Sequence, residues 1–146
     1  MKTIKFLSLA LLLILTFSSF KPKPAPADDG YYAFIVVDGV HKNKVGYASR
    51  IIQYPGYDDC NKRSSSQYFR EAQRAFSKYL EAHFHDAFPY GGMNDLQVVD
   101  MKRHSTTELL KTRAQAEQRL TEWIADQKSE GNKVQTTNFS YSCSNY

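Results

Sequence analysis

Apolar and polar positions fall into three regimes along the chain. An unbroken apolar run near the start is followed by a proline-rich stretch, and then by a region in which two-residue and three-to-four-residue periods alternate. The third regime is where a fold is to be sought. Its first segment, Tyr31-Tyr-Ala-Phe-Ile-Val-Val37, is aromatic and β-branched and apolar at both odd and even positions, the pattern of a strand covered on both sides. Asp38-Gly39 and the polar residues His41 to Lys44 supply turn chemistry. A second strand is predicted from Val45 to Tyr54, stopped by Pro55-Gly56, so the pair reads as a β-hairpin.

The period then changes. Ser64-Ser-Ser-Gln67 has the capping-box spacing, and behind it Phe69, Ala72, Phe76, Tyr79, Leu80 and Phe84 recur every three or four residues. This predicts an amphipathic helix ending before Pro89, with a loop at Tyr90-Gly-Gly92. Leu96 to Met101 is a third, short strand. Ser105-Thr-Thr-Glu108 repeats the capping box and predicts a second helix carrying Leu109, Ala116, Leu120, Trp123 and Ile124 on one face, with Lys128 in its last turn and Gly131 as its stop. From Lys133 to Cys143 the alternation is again two, with Thr137, Phe139, Tyr141 and Cys143 on one side and Thr136, Asn138, Ser140 and Ser142 on the other.

The order ββαβαβ predicts an α+β fold. The expected form is a two-layer sandwich, a mixed four-stranded sheet with two amphipathic helices mainly on one face. If helical crossovers make strands two and four parallel, Cys60 and Cys143 emerge at the same edge of the sheet, close enough for a disulfide. The competing reading of Cys60, a nucleophile paired with a histidine, has no flanking signature in its support.

The first regime changes the picture of where this domain works. Lys2 and Lys5 precede a run of about 12 apolar residues from Phe6 to Phe17, the charged-then-apolar order of a secretory signal peptide. A membrane-spanning helix needs about 20 such residues. Residues 1–20 are therefore expected to be a cleaved signal, with the cut near Ser18 to Phe20. Residues 21–30, with alternating prolines, form an extended spacer, and residues 31–146 a single globular domain. No stable membrane span remains after cleavage, and the expected location is secreted, or periplasmic within a cell envelope. Such a compartment favours the Cys60–Cys143 disulfide.

Charge matters only after this division. The chain of 146 residues holds 19 basic and 15 acidic side chains, but Lys2, Lys5, Lys21 and Lys23 all precede the first acid, Asp28, so the rest balances at 15 against 15. The basic pI belongs to the leader and spacer, and nothing argues for nucleic acid as a partner.

Candidate chemistry is sparse. His83 and His85 flank Phe84, but on a helix residues two apart point about 200° away from each other, so no metal pair results. No G-x-S-x-G elbow, H-E-x-x-H pair or phosphate-binding glycine loop occurs, and no metal or cofactor is implied. Asn138-Phe-Ser140 is an N-glycosylation sequon that a strand interior is expected to hide. The strand-two region gathers Tyr47, Arg50, Tyr54 and Tyr57, residue types enriched at binding hot spots, with His41, Lys42 and Lys44 at the hairpin tip. Packing inside the core is the competing role for Tyr47 and Tyr54. The function expected first is an exported, non-enzymatic module holding a protein, peptide or glycan. A small hydrolase using His41 or His104, and an envelope-structural role, are the alternatives.

Overall fold

A computed structural model describes residues 31–39, 44–84 and 95–143. The signal peptide, the spacer, His41, Lys42, His85 and the Tyr90-Gly-Gly92 loop lie outside the described residues. Among the described residues five strands and two helices follow in the order β1 (Tyr31–Val37), β2 (Val45–Ala48), β3 (Ile52–Tyr54), α1 (Ser65–His83), β4 (Leu96–Val99), α2 (Arg113–Ser129) and β5 (Lys133–Thr136). The class is α+β with a mixed sheet. β1 runs through its middle, antiparallel to β4 on one side and to β2 and β3 on the other, and β5 lies outside β2, parallel to it.

The predicted second strand is two strands separated by a bulge. Val36 faces Ala48 and Ala33 faces Ile52, so three residues, Ser49–Ile51, stand opposite two, Phe34 and Ile35. Ser49, 1% exposed, makes the interruption tolerable. Its N–H donates to the Ile35 carbonyl at 2.8 Å, its Oγ accepts from the Ile35 N–H at 2.9 Å, and the same hydroxyl donates to the Arg50 carbonyl at 2.8 Å. A side chain thus stands in for the missing ladder carbonyl.

β1 is buried on both faces, as its unbroken apolar run implies. Ala33, Ile35 and Val37 pack with Phe69, Ala72, Phe76 and Leu80 of α1, whereas Tyr32, Phe34 and Val36 pack with Ala116 and Trp123 of α2. The helices therefore lie on opposite faces, a helix–sheet–helix stack and not the expected pair on one face. Crossover handedness explains this. The first crossover carries the chain across β1 to β4, and the second returns past β1 and β2 to β5. Right-handed connections that travel in opposite directions place their helices on opposite faces.

α1 begins where its capping box predicts: Ser64 Oγ accepts from the Gln67 N–H, and Gln67 Oε1 accepts from the Ser64 N–H. The second helix does not start at Ser105. There the serine hydroxyl accepts the N–H groups of Thr107 and Glu108 inside a turn closed by a Met101–Leu109 bridge and a Lys102–Glu108 ion pair. Leu109 is thus outside the helix. Leu110 next to it is committed to the sheet, its carbonyl accepting from the Tyr32 N–H at 2.9 Å, so helix cannot begin until Thr112. Thr112 and Gln115 form the true capping box, with identical spacing. Among the described residues no helix is long and apolar enough to cross a membrane.

After β5 the chain stays extended but leaves the ladder. Its odd residues Thr137, Phe139, Tyr141 and Cys143 are buried and its even residues exposed, as the alternation predicts. A disulfide joins Cys143 to Cys60 with Cα atoms 5.4 Å apart. Nearby, the Tyr68 hydroxyl donates to the Tyr141 carbonyl at 3.0 Å, and the Tyr141 hydroxyl donates to Glu71 at 3.0 Å. Burial pushes both phenols up to about 12, helped at Tyr141 by its bond to the Glu71 carboxylate. A folded chain that keeps these protons while the unfolded chain releases them is fully stable below the ordinary phenol value of 10.0 and loses stability as pH rises from there towards 12. Absorbance titration should show two tyrosines ionising late, together with a falling melting temperature over that window.

Candidate functional site

The bulge sets up a groove at the surface of the sheet. Because Ser49 holds the ladder together, Arg50 is turned towards the C-terminal segment: its N–H donates to the Phe139 carbonyl at 3.2 Å and its Nη2 donates to Asn138 Oδ1 at 2.8 Å. Even residues of β5 and its continuation face the α2 side: Val134 packs with the α2 cluster, whereas Thr136, Asn138 and Ser140 are exposed. On this side lies a groove of about 480 Å³ lined by Arg50 and Arg113, the polar residues Thr136, Asn138 and Ser140, and the apolar Ile51 and Leu120.

Its electrostatics differ from those of the other surface depressions. The lining holds two guanidinium groups and no carboxylate. The first turn of α2 has no acidic residue either, so the positive end of the helix dipole adds to the same field. In the depression around Arg63, Arg74 and Lys78, Glu71 lies 2.9 Å from Arg63. In the one around Lys102, Arg103 and Arg119, these cations face Glu108, Asp126 and Glu122 respectively. Among these three, only the Arg50 groove has a lining without any carboxylate, although Arg74 and Lys78 of the second depression likewise form no salt bridge among the described residues.

Of the four residues singled out in strand two, the groove takes one. Tyr47, 2% exposed, packs its ring 5.1 Å from that of Phe84. Tyr54, 7% exposed, packs against Tyr68 and Phe69 and donates its hydroxyl to the Arg63 carbonyl at 2.6 Å. Burial holds both phenols above their ordinary value. Tyr57 is 55% exposed on the loop after β3, away from the groove lining. The core role therefore claims Tyr47 and Tyr54, while Arg50 and Tyr57 stay at the surface but apart.

The histidines that are described stand separately. His83 stacks on Tyr79 and places Nδ1 2.9 Å from the Tyr79 carbonyl. His104 is exposed in the turn before α2, in the left-handed backbone region at φ 60°. Among the described residues no three His, Cys, Asp or Glu side chains are grouped so as to hold a metal ion.

Arg113, Leu120 and the polar row Thr136, Asn138 and Ser140 complete the groove; the row was visible beforehand as the wet face of the last strand and Leu120 as part of the apolar face of the second helix, whereas Arg113 was not. Asn138 is exposed and not hidden as expected, because β5 ends at Thr136 and α2 leaves this side open. Comparison with family models, curated proteins and solved structures finds no match.

Proposed function

We propose that this chain is an exported, non-catalytic binding domain that holds a protein, peptide or glycan partner in the groove between Arg50 and Arg113. The observation that carries the reading is a pair of guanidiniums beside a row of hydroxyl and amide groups, in a lining that holds no carboxylate. Arginine with adaptable polar neighbours is the composition of binding surfaces. The signal-like leader and the Cys60–Cys143 disulfide support work in an oxidising compartment outside the cytoplasm, with residues 21–30 as a tether left after cleavage.

The test is affinity capture from the native medium or envelope, with the wild-type chain beside Arg50→Ala/Asn138→Ala and Tyr57→Ala variants of matched melting temperature. Partners lost from the groove variant and kept by Tyr57→Ala are the expected result. The same partners on all three chains would refute the groove.

A further inference from the structure

Backbone direction at the sheet margin says more about the partner than the side chains alone. β5 is the last strand in the sheet order. Its odd residues turn inward: the Lys133 N–H donates to the Lys44 carbonyl and the Thr137 N–H to the Ala48 carbonyl, each at 2.8 Å. In a ladder the alternate residues must then turn their N–H and C=O groups outward. For Val134, Thr136 and Asn138 those outward groups meet no partner among the described residues. A free edge of this kind is a template for another strand. It runs beside the groove, and two of its three residues, Thr136 and Asn138, line it.

We propose, building on the binding-domain reading above, that the partner is an acidic peptide segment that docks in extended form along β5 and its continuation. The added strand satisfies the outward groups of Val134, Thr136 and Asn138, as in β-strand addition. Its side chains alternate, so every second one, about 6.6 to 6.8 Å apart along the strand, enters the groove. There Arg50 and Arg113 select carboxylates, since the lining holds no acid of its own, and Ile51 and Leu120 accept the aliphatic stem of a glutamate. Charge complementarity picks the acid, and the free ladder picks a polypeptide over a sugar chain, which has no strand of amides to offer.

The probe is a blocked eight-residue peptide of alternating glutamate and valine, titrated into the full chain. Binding is expected to move the amide resonances of Val134, Thr136 and Asn138. The Arg50→Ala/Arg113→Ala variant should weaken it about tenfold or more. Methylating the peptide's ladder-forming amides should abolish it. Equal binding of a control peptide with lysine in place of each glutamate, undiminished binding of the methylated peptide, or binding of polygalacturonate with no binding of the acidic peptide would each overturn the proposal. If the acidic peptide is inert while capture of native partners still depends on Arg50 and Asn138, strand addition fails and the binding-domain reading stands. If capture is indifferent to those residues, the binding-domain reading itself fails.

Discussion

Replacing Cys60 and Cys143 together by alanine is expected to lower the free energy of unfolding by roughly 4 to 5 kcal/mol, the chain-entropy value for a closed loop of 84 residues. That loop contains everything from α1 to the C-terminal segment, so its closure restricts most of the unfolded chain. The staple also has a local task. Cys60 follows the loop from Pro55 and precedes Asn61 and Lys62, both in the left-handed region at φ 51° and 61°, a conformation that side chains other than glycine disfavour. Cys143 anchors the end of the extended segment from Thr137 onward, which is also held by the rings of Phe139 and Tyr141 in the core and by hydrogen bonds to Arg50, Tyr68 and Glu71. Denaturant unfolding with and without reductant reads the effect directly. A change below about 1 kcal/mol would show that the segment and the loop are held by packing alone.

Phe76→Ala is the second large effect, expected to cost about 3 to 5 kcal/mol. Phe76 is fully buried in the α1-side cluster, with its ring centroid 5.0 Å from Phe139 and 6.2 Å from Tyr79. Truncation leaves a cavity between α1, the sheet and the C-terminal segment, three parts that cannot collapse together without breaking the ladder. The stack also predicts which partners couple. With the milder Phe76→Leu, a second change at Phe139 should be non-additive because the rings touch. One at Leu110, in the cluster on the opposite face, should add within about 0.5 kcal/mol. Strong coupling between Phe76 and Leu110 would contradict a sheet with one helix on each side.

Periodicity carried much of this architecture. β1, α1 and the alternation from Thr137 to Cys143 were legible because each has one dominant period and, for α1, a cap that only one position could supply. The second helix start was not, because Ser105-Thr-Thr-Glu108 and Thr112-Arg-Ala-Gln115 have the same spacing. The choice between them was made by Leu110, which the sheet claims through Tyr32, a contact 78 positions away. The break between β2 and β3 was illegible for a related reason. A bulge leaves the apolar pattern of the strand nearly intact, and only the buried Ser49 hints at it.

The candidate site followed the same division. Arg50 stood out by residue type, yet its neighbours Tyr47 and Tyr54 have the same binding-type chemistry and serve the core. Burial, which only the fold can assign, separates them. Arg113 gave no signal at all, since a cation at a helix start looks like ordinary solvated surface until the sheet edge is placed beside it.

Amide hydrogen exchange on the full chain, with and without a captured native partner, tests most directly whether the groove and its free strand edge form the working surface. Protection gained at Val134, Thr136, Asn138 and Ser140, and lost again in Arg50→Ala/Arg113→Ala, is the predicted result. Protection confined to the Tyr57 loop, or to the exposed face of α1, with those amides unchanged, would contradict it.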